Sequence, residues 1–168
     1  MQRRNLLKLG LASAAVLGLA GGAAALLEPG LQSGKLSSAG RTVFAAVGRA
    51  VLDGSLPSDS GAARIALLGM LDRVDALTLM LPPHAQAELS QLLALLDTAA
   101  GRWGVAGLAR GWPDASVAEI QAALQSMRTS TLTLRQQAYQ ALHDIVGAAY
   151  FSHASAWPML GYPGPLKI

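Results

Sequence analysis

Three histidines, ten carboxylates and no cysteine are the side chains from which this chain could build a reactive site. His84, His143 and His153 form neither an H-x-x-x-H nor an H-E-x-x-H pair, and thiolate ligands are absent. Those spacings are what place two imidazoles on one helical face for zinc. The lack of cysteine also removes iron–sulfur clusters and C-x-x-C-H haem attachment. His143 stands beside Asp144, and with His153 it would be the centre of a stand-alone enzyme, the least supported of the available readings. The carboxylates are scattered. Asp72 and Asp75 flank Arg73 in an i, i+3 arrangement that suits a solvated face or a bridge to a neighbouring helix. There is no G-x-S-x-G. "GRWGVAGLARG" (101–111) follows a helical pattern instead of a strand, so it lacks the context of a dinucleotide loop. The expectation is that this chain holds no catalytic, metal or cofactor residues of its own.

What remains is the chemistry of contact. All aromatic residues except Phe44 lie in the C-terminal part, and the end reads "AYFSHASAWPMLGYPGPLKI". Pro158, Pro163 and Pro165 fix φ, and Gly161 and Gly164 permit turns with positive φ. A backbone fixed in advance loses little entropy on association, which suits an interface anchor. The candidate partner-binding residues are therefore Tyr150, Phe151, Trp157, Leu160, Tyr162, Pro163 and Pro165. The same tail could instead cap this chain's own core, and both can hold.

The elements that must position this tail are helical. Phe44, Val47 and Val51 share one face of a helix over 39–52, ended by Asp53-Gly54. A second helix runs over 61–80. Its apolar residues (Ile65, Leu67, Leu68, Met70, Leu71, Val74 and Leu77) spread so widely that it reads as a central helix. Pro82-Pro83 stops it, and Pro83 opens a third, with Leu89, Leu92, Leu93 and Leu96 inward. An irregular Gly-rich stretch covers 101–115. Ser116 and Glu119 form a capping box for a fourth helix, and the fifth spans 132–151. The fold expected is all-α: a compact bundle of four to five helices with an N-terminal signal or anchor helix and an irregular Pro/Gly/aromatic C-terminal tail, 152–168.

The 168 residues are 52% hydrophobic and only 14% charged, against about a quarter charged in average domains. The net charge of +3 comes from Arg3, Arg4 and Lys8, since ten basic and ten acidic residues balance from Glu28 onward. Without a basic stripe in the body, nucleic acid is not an expected partner. The basic start precedes an uncharged run of 19 residues, 9–27, and then Glu28-Pro29. This is the layout of an export signal. Ala23 and Ala25 offer an A-x-A-like cleavage site, and the alternative is a retained membrane anchor. Residues 28–38 read as a linker, and 39–168 as one helical domain.

Arg3, Arg4, Leu6, Leu7 and Lys8, in "RRNLLK", resemble the twin-arginine export signal, which carries folded proteins to the periplasm. Together with the cysteine-free helical body and the ending Trp157-Pro158-Met159-Leu160-Gly161-Tyr162-Pro163-Gly164, the chain resembles the gluconate 2-dehydrogenase subunit 3 family. The interval "SHASA" (152–156) is shorter than the Gly- and Asn-rich segment the family often has there. The resemblance implies a non-catalytic small subunit. Its partner would be a large FAD-dependent oxidoreductase of the glucose–methanol–choline type, often with a cytochrome c. The large subunit commonly lacks a signal, so the small one would escort it through the twin-arginine translocase. FAD is then expected in the partner and no cofactor in this chain. The location implied is the periplasm, with inner-membrane contact through 9–27 if the signal is retained. The alternative is a free-standing periplasmic or membrane-anchored helical protein binding a lipid or quinone between its second and third helices.

Overall fold

The computed structural model of the chain describes residues 28–164. The expectations for the N-terminal signal or anchor, with Arg3, Arg4, Leu6, Leu7 and Lys8, and for Pro165 lie outside those residues. The described part is all-α apart from one short hairpin, β1 (Leu31–Gln32) with β2 (Lys35–Leu36), paired antiparallel. After it come six helices: α1 (Ser38–Val51), α2 (Ser60–Leu79), α3 (Pro83–Asp97), the single turn α4 (Ala99–Gly101), α5 (Val117–Arg128) and α6 (Thr133–Phe151). The five long helices stand where periodicity and caps place them, within a residue or so at their ends.

The caps explain the starts. The Ser37 hydroxyl accepts from the Gly40 N–H at 3.2 Å, and the Asp59 carboxylate accepts from Ala62 N–H at 2.8 Å. Each satisfies a first-turn donor that has no partner inside the helix. At α5 the Ser116 hydroxyl accepts from the Glu119 N–H, while the Glu119 carboxylate accepts from the Ser116 N–H at 2.8 Å. That pairing holds the Glu119 carboxyl below its usual value, chiefly through the Ser116 backbone N–H, then the Ser116 hydroxyl and nearby Arg110.

The centre of the fold is α1. It packs against α2, α3, α5 and α6, and its Val43, Phe44 and Val47 are wholly enclosed. Small residues make that possible. A Cβ at Gly48 would lie 2.6 Å from the Met70 Sδ-methyl of α2, and one at Gly40 would collide with the Gly30 carbonyl oxygen. The broad apolar surface of α2 points to it as the central helix. Instead α2 lies at the edge, burying Met70, Leu71, Val74 and Thr78 while Ile65, Leu68, Leu79 and Met80 face out. α1 takes the centre because its glycines and alanines let neighbours approach on several sides.

Residues 28–38 are not a loose linker. Leu31 and Leu36 are buried, and the hairpin segment is hydrogen-bonded to both α2 and α3. Gly30 N–H donates to the Ser90 carbonyl at 3.1 Å, Thr78 Oγ1 donates to the Gly34 carbonyl at 2.7 Å, and Leu36 N–H donates to the Asp75 carboxylate at 2.7 Å. Asp75 also pairs with Arg41 of α1, which reaches Asp72 at 3.4 Å. Of the two roles open to these carboxylates, the bridge to a neighbouring helix is the one formed. A Gly/Ser-rich composition conceals this, because the hairpin is held by polar backbone groups and only two apolar side chains.

The Gly-rich stretch after α3 is also ordered. Arg102–Ala106 form a π-helical turn closed by Gly107 at φ 74°. Trp112 is buried, and its indole N–H donates to the Leu96 carbonyl at 2.8 Å. This bond satisfies one of the carbonyls left free at the end of α3.

Two glycines should respond oppositely to alanine. Gly40→Ala gains helix propensity but drives a methyl into the hairpin backbone, so a net loss of about 1–3 kcal/mol is expected. At Gly147, inside α6, an added Cβ meets nothing within 4 Å, and Gly147→Ala should stabilise by up to about 1 kcal/mol. Chemical denaturation of both variants checks the pair. The Glu119 contribution, resting on a lowered carboxyl pKa, is full above the ordinary carboxylate range and is lost as pH falls through the lowered value. The gap in Tm between the parent and Glu119→Gln should therefore be widest near neutrality and narrow on acidification.

Candidate functional site at the aromatic tail

The end of α6 is tied to α2 and to the turn before it. The Tyr150 hydroxyl donates to the Ser55 carbonyl at 2.8 Å, and the Arg73 guanidinium donates to the Ala149 carbonyl. Tyr150 is buried, with Phe151 edge-on to it at 5.1 Å and half-buried. Of the residues read as partner-binding, Tyr150 thus serves this chain's own core. The helical repeat places it on the inner face with Leu142, Val146 and Ala149, a signal that is present in the sequence.

Beyond Ser152 the chain makes two 3-10 turns, Ala154–Ala156 and Pro158–Leu160. His153 Nδ1 accepts from the Ser155 N–H at 3.3 Å, and Ala156 is buried. Trp157 organises the rest of the tail. Its indole N–H donates to the Phe151 carbonyl at 3.0 Å, and its own carbonyl accepts from Tyr162 N–H at 3.1 Å. The Tyr162 ring meets the Trp157 ring at 5.3 Å and 68°, an edge-to-face contact. Gly161 at φ 66° and Gly164 at φ 98° make the reversals, and a Cβ at Gly164 would lie 3.3 Å from the indole.

The result is a small folded-back unit with an inner and an outer side. Trp157 is half-buried, with its indole N–H on the Phe151 carbonyl, while Leu160 is 55% and Tyr162 47% exposed. Pro163 is exposed as well. The unit presents Leu160, Tyr162 and Pro163 to solvent on a backbone fixed by one proline-started turn, two glycine reversals and one indole hydrogen bond.

His84, His143 and His153 are all exposed, and they do not gather into one cluster. His143 stacks on Tyr139 at 5.3 Å and contacts Asp144 at 3.1 Å through Nδ1. Among the described residues no group of three His, Cys, Asp or Glu side chains could hold a metal ion. No described helix is long and apolar enough to cross a membrane.

An open apolar groove of about 370 Å³ lies between the C-terminal part of α2 and α6, lined by Leu77, Met80, Leu81, Ile145 and Ala148 with Thr78 and Asp144. It is not the gap between the second and third helices that the lipid or quinone alternative requires. Sequence reasoning misses it, because the crossing of helices 70 residues apart leaves no local mark. It also misses Trp103, 72% exposed on the π-helical turn. No protein-family model, curated protein or solved structure matches this chain.

The indole hydrogen bond gives a test of how the tail is held. Trp157→Phe keeps the ring contact with Tyr162 and removes the bond to Phe151. The tail beyond Ser152 should then become more susceptible to limited proteolysis. The Tm of the body should fall by no more than a few degrees, since a single net hydrogen bond is worth about 1 kcal/mol.

Proposed function

We propose that this protein is a non-catalytic accessory subunit that escorts, stabilises and co-exports a large FAD-dependent oxidoreductase through the twin-arginine pathway to the periplasm. The observation that carries the reading is the tail. Leu160 and Tyr162 stand exposed on a backbone already fixed by Trp157, Gly161 and Gly164. Interface hot spots are enriched in tyrosine, and a pre-shaped backbone lowers the ordering cost of presenting one. The kind of partner comes from the resemblance of "RRNLLK" and "WPMLGYPG" to the gluconate 2-dehydrogenase subunit 3 family. On this reading Trp157 and Phe151 support the surface from beneath, and Leu160, Tyr162 and Pro163 touch the flavoprotein. A cytochrome c subunit would complete the electron path, and this chain would carry no cofactor.

The test is co-purification. Tagged full chain, expressed in its own host and recovered from the periplasm, should bring down a yellow flavin-bearing protein. Tyr162→Ala should weaken that association by about 2 kcal/mol, roughly thirtyfold, with the helical circular dichroism unchanged. Arg3→Lys with Arg4→Lys should leave both proteins in the cytoplasm. A flavoprotein that reaches the periplasm beside this double variant overturns the escort role. A well-behaved chain that captures no flavoprotein overturns the subunit role.

A further inference from the structure

Trp103, on the π-helical turn, is 72% exposed, and Leu132, at the N-cap of α6, is 61% exposed. One side chain brings these two tips to the same end of the fold. The Arg135 guanidinium, in the first turn of α6, donates to the Val105 carbonyl at 2.8 Å and to the Ser126 hydroxyl of α5 at 2.9 Å. Trp103 lies two residues from Val105, and Leu132 lies three from Arg135. The π-helical turn is closed by Gly107 at φ 74°, so the indole is carried on a fixed backbone.

The charge around the tips has one sign. From Thr98 to Pro113 the chain carries Arg102 and Arg110 and no carboxylate. From Ile120 to His143 it carries Arg128 and Arg135 and again no carboxylate. Arg110 and Arg128 are exposed, and Arg102 and Arg135 are half-buried. Only Arg110 among the four has an acidic partner, Glu119 at 3.5 Å. The overall charge balance of the body conceals this, because its acids lie outside these two segments.

We propose that this end of the bundle rests against an anionic bilayer surface, with Trp103 and Leu132 entering the interfacial layer and the arginines facing headgroup phosphates. Indole rings favour the boundary between water and hydrocarbon, where one end is apolar and the other wet. Arginines close to an anionic leaflet are drawn to it, and the attraction fades within a Debye length. A protein partner suits the site less well. Stable interfaces bury about 800 Å² on each side in a continuous patch. Here two apolar tips have Gly104, Thr131 and Thr133 as their exposed chain neighbours. A bilayer face moulds itself to single tips and needs no such patch. Single-stranded nucleic acid could stack on the indole, but Leu132 has no ring to offer a second base. The contact does not depend on the identity of any protein partner.

The test uses the full chain with one environment-sensitive fluorophore. The chain has no cysteine, so Gly104→Cys supplies a single labelling point, and a Cβ there meets nothing within 4 Å. The control is Ala154→Cys, exposed beyond the far end of the 19-residue α6, about 28 Å away. The uncharged run 9–27 can itself hold the chain on vesicles, so the readout is the surroundings of each label, not binding. On phosphatidylcholine vesicles containing phosphatidylglycerol, emission at 104 should shift to the blue and be quenched by spin-labelled lipid. Emission at 154 should stay that of a label in water. The shift at 104 should be lost in Trp103→Ala with Leu132→Ala, and should be much weaker on phosphatidylcholine alone. Arg128→Gln should lower the ratio of inserted to uninserted label roughly fivefold. A label at 104 that stays in water on the anionic vesicles overturns the proposal. So does an equal shift on phosphatidylcholine alone, or a shift that survives the two alanines. Burial of the label at 104 by single-stranded DNA or by a soluble protein, and not by vesicles, overturns it in favour of that partner.

Discussion

The fold depends on one helix being thin enough to be surrounded. α1 meets four other helices and the hairpin, and it can do so only because Gly40, Gly48 and several alanines bring foreign backbone and side chains close to its axis. Phe44, Val43 and Val47 then fill the spaces between neighbours. Interiors packed to crystal-like density tolerate few voids, so every element around α1 is placed by it. The hairpin is seated on Gly40, and α2 lies where Met70 can pass Gly48. α5 and α6 close the remaining side with Ile120, Met127, Leu142 and Val146.

This arrangement explains what can be read from the sequence and what cannot. The helices are legible because their signals are local: Pro83, and Ser116 with Glu119, each act within one turn. The choice of central helix is not, because amphipathicity measures apolar content and says nothing about how closely backbones approach. α2 has the wider apolar surface, but α1 has the smaller side chains, and close approach decides the centre. The hairpin is illegible for a related reason. Its anchors are Ser90, Thr78 and Asp75, polar residues far along the chain that meet backbone groups of a Gly/Ser-rich segment.

The candidate site divides along the same line. The turns at Pro158, Gly161 and Gly164 follow from residue type, and the exposure of Tyr162 accords with its place between them. Tyr150 belongs to the core because it falls on the inner face of α6 and finds the Ser55 carbonyl, a partner 95 residues away. The aromatic cluster therefore splits at Ser152. Before it, Tyr150 is buried with Phe151 half-buried against it; after it, Trp157 is half-buried and Leu160 and Tyr162 stand exposed. The tail thus packs on its own chain through its indole and offers a different set of side chains to anything outside.

The groove and the exposed tail residues sit at opposite ends of the α2–α6 pair. Ile145 lies beside Leu77 and Met80, whereas Ala149 meets Arg73 and Tyr150 reaches Ser55, so the helices run antiparallel. The tail accordingly leaves α6 toward the start of α2, and the groove lies toward its end. Leu160 and Tyr162 therefore stand at the opposite end of the pair from the groove, so contact at one leaves the other open.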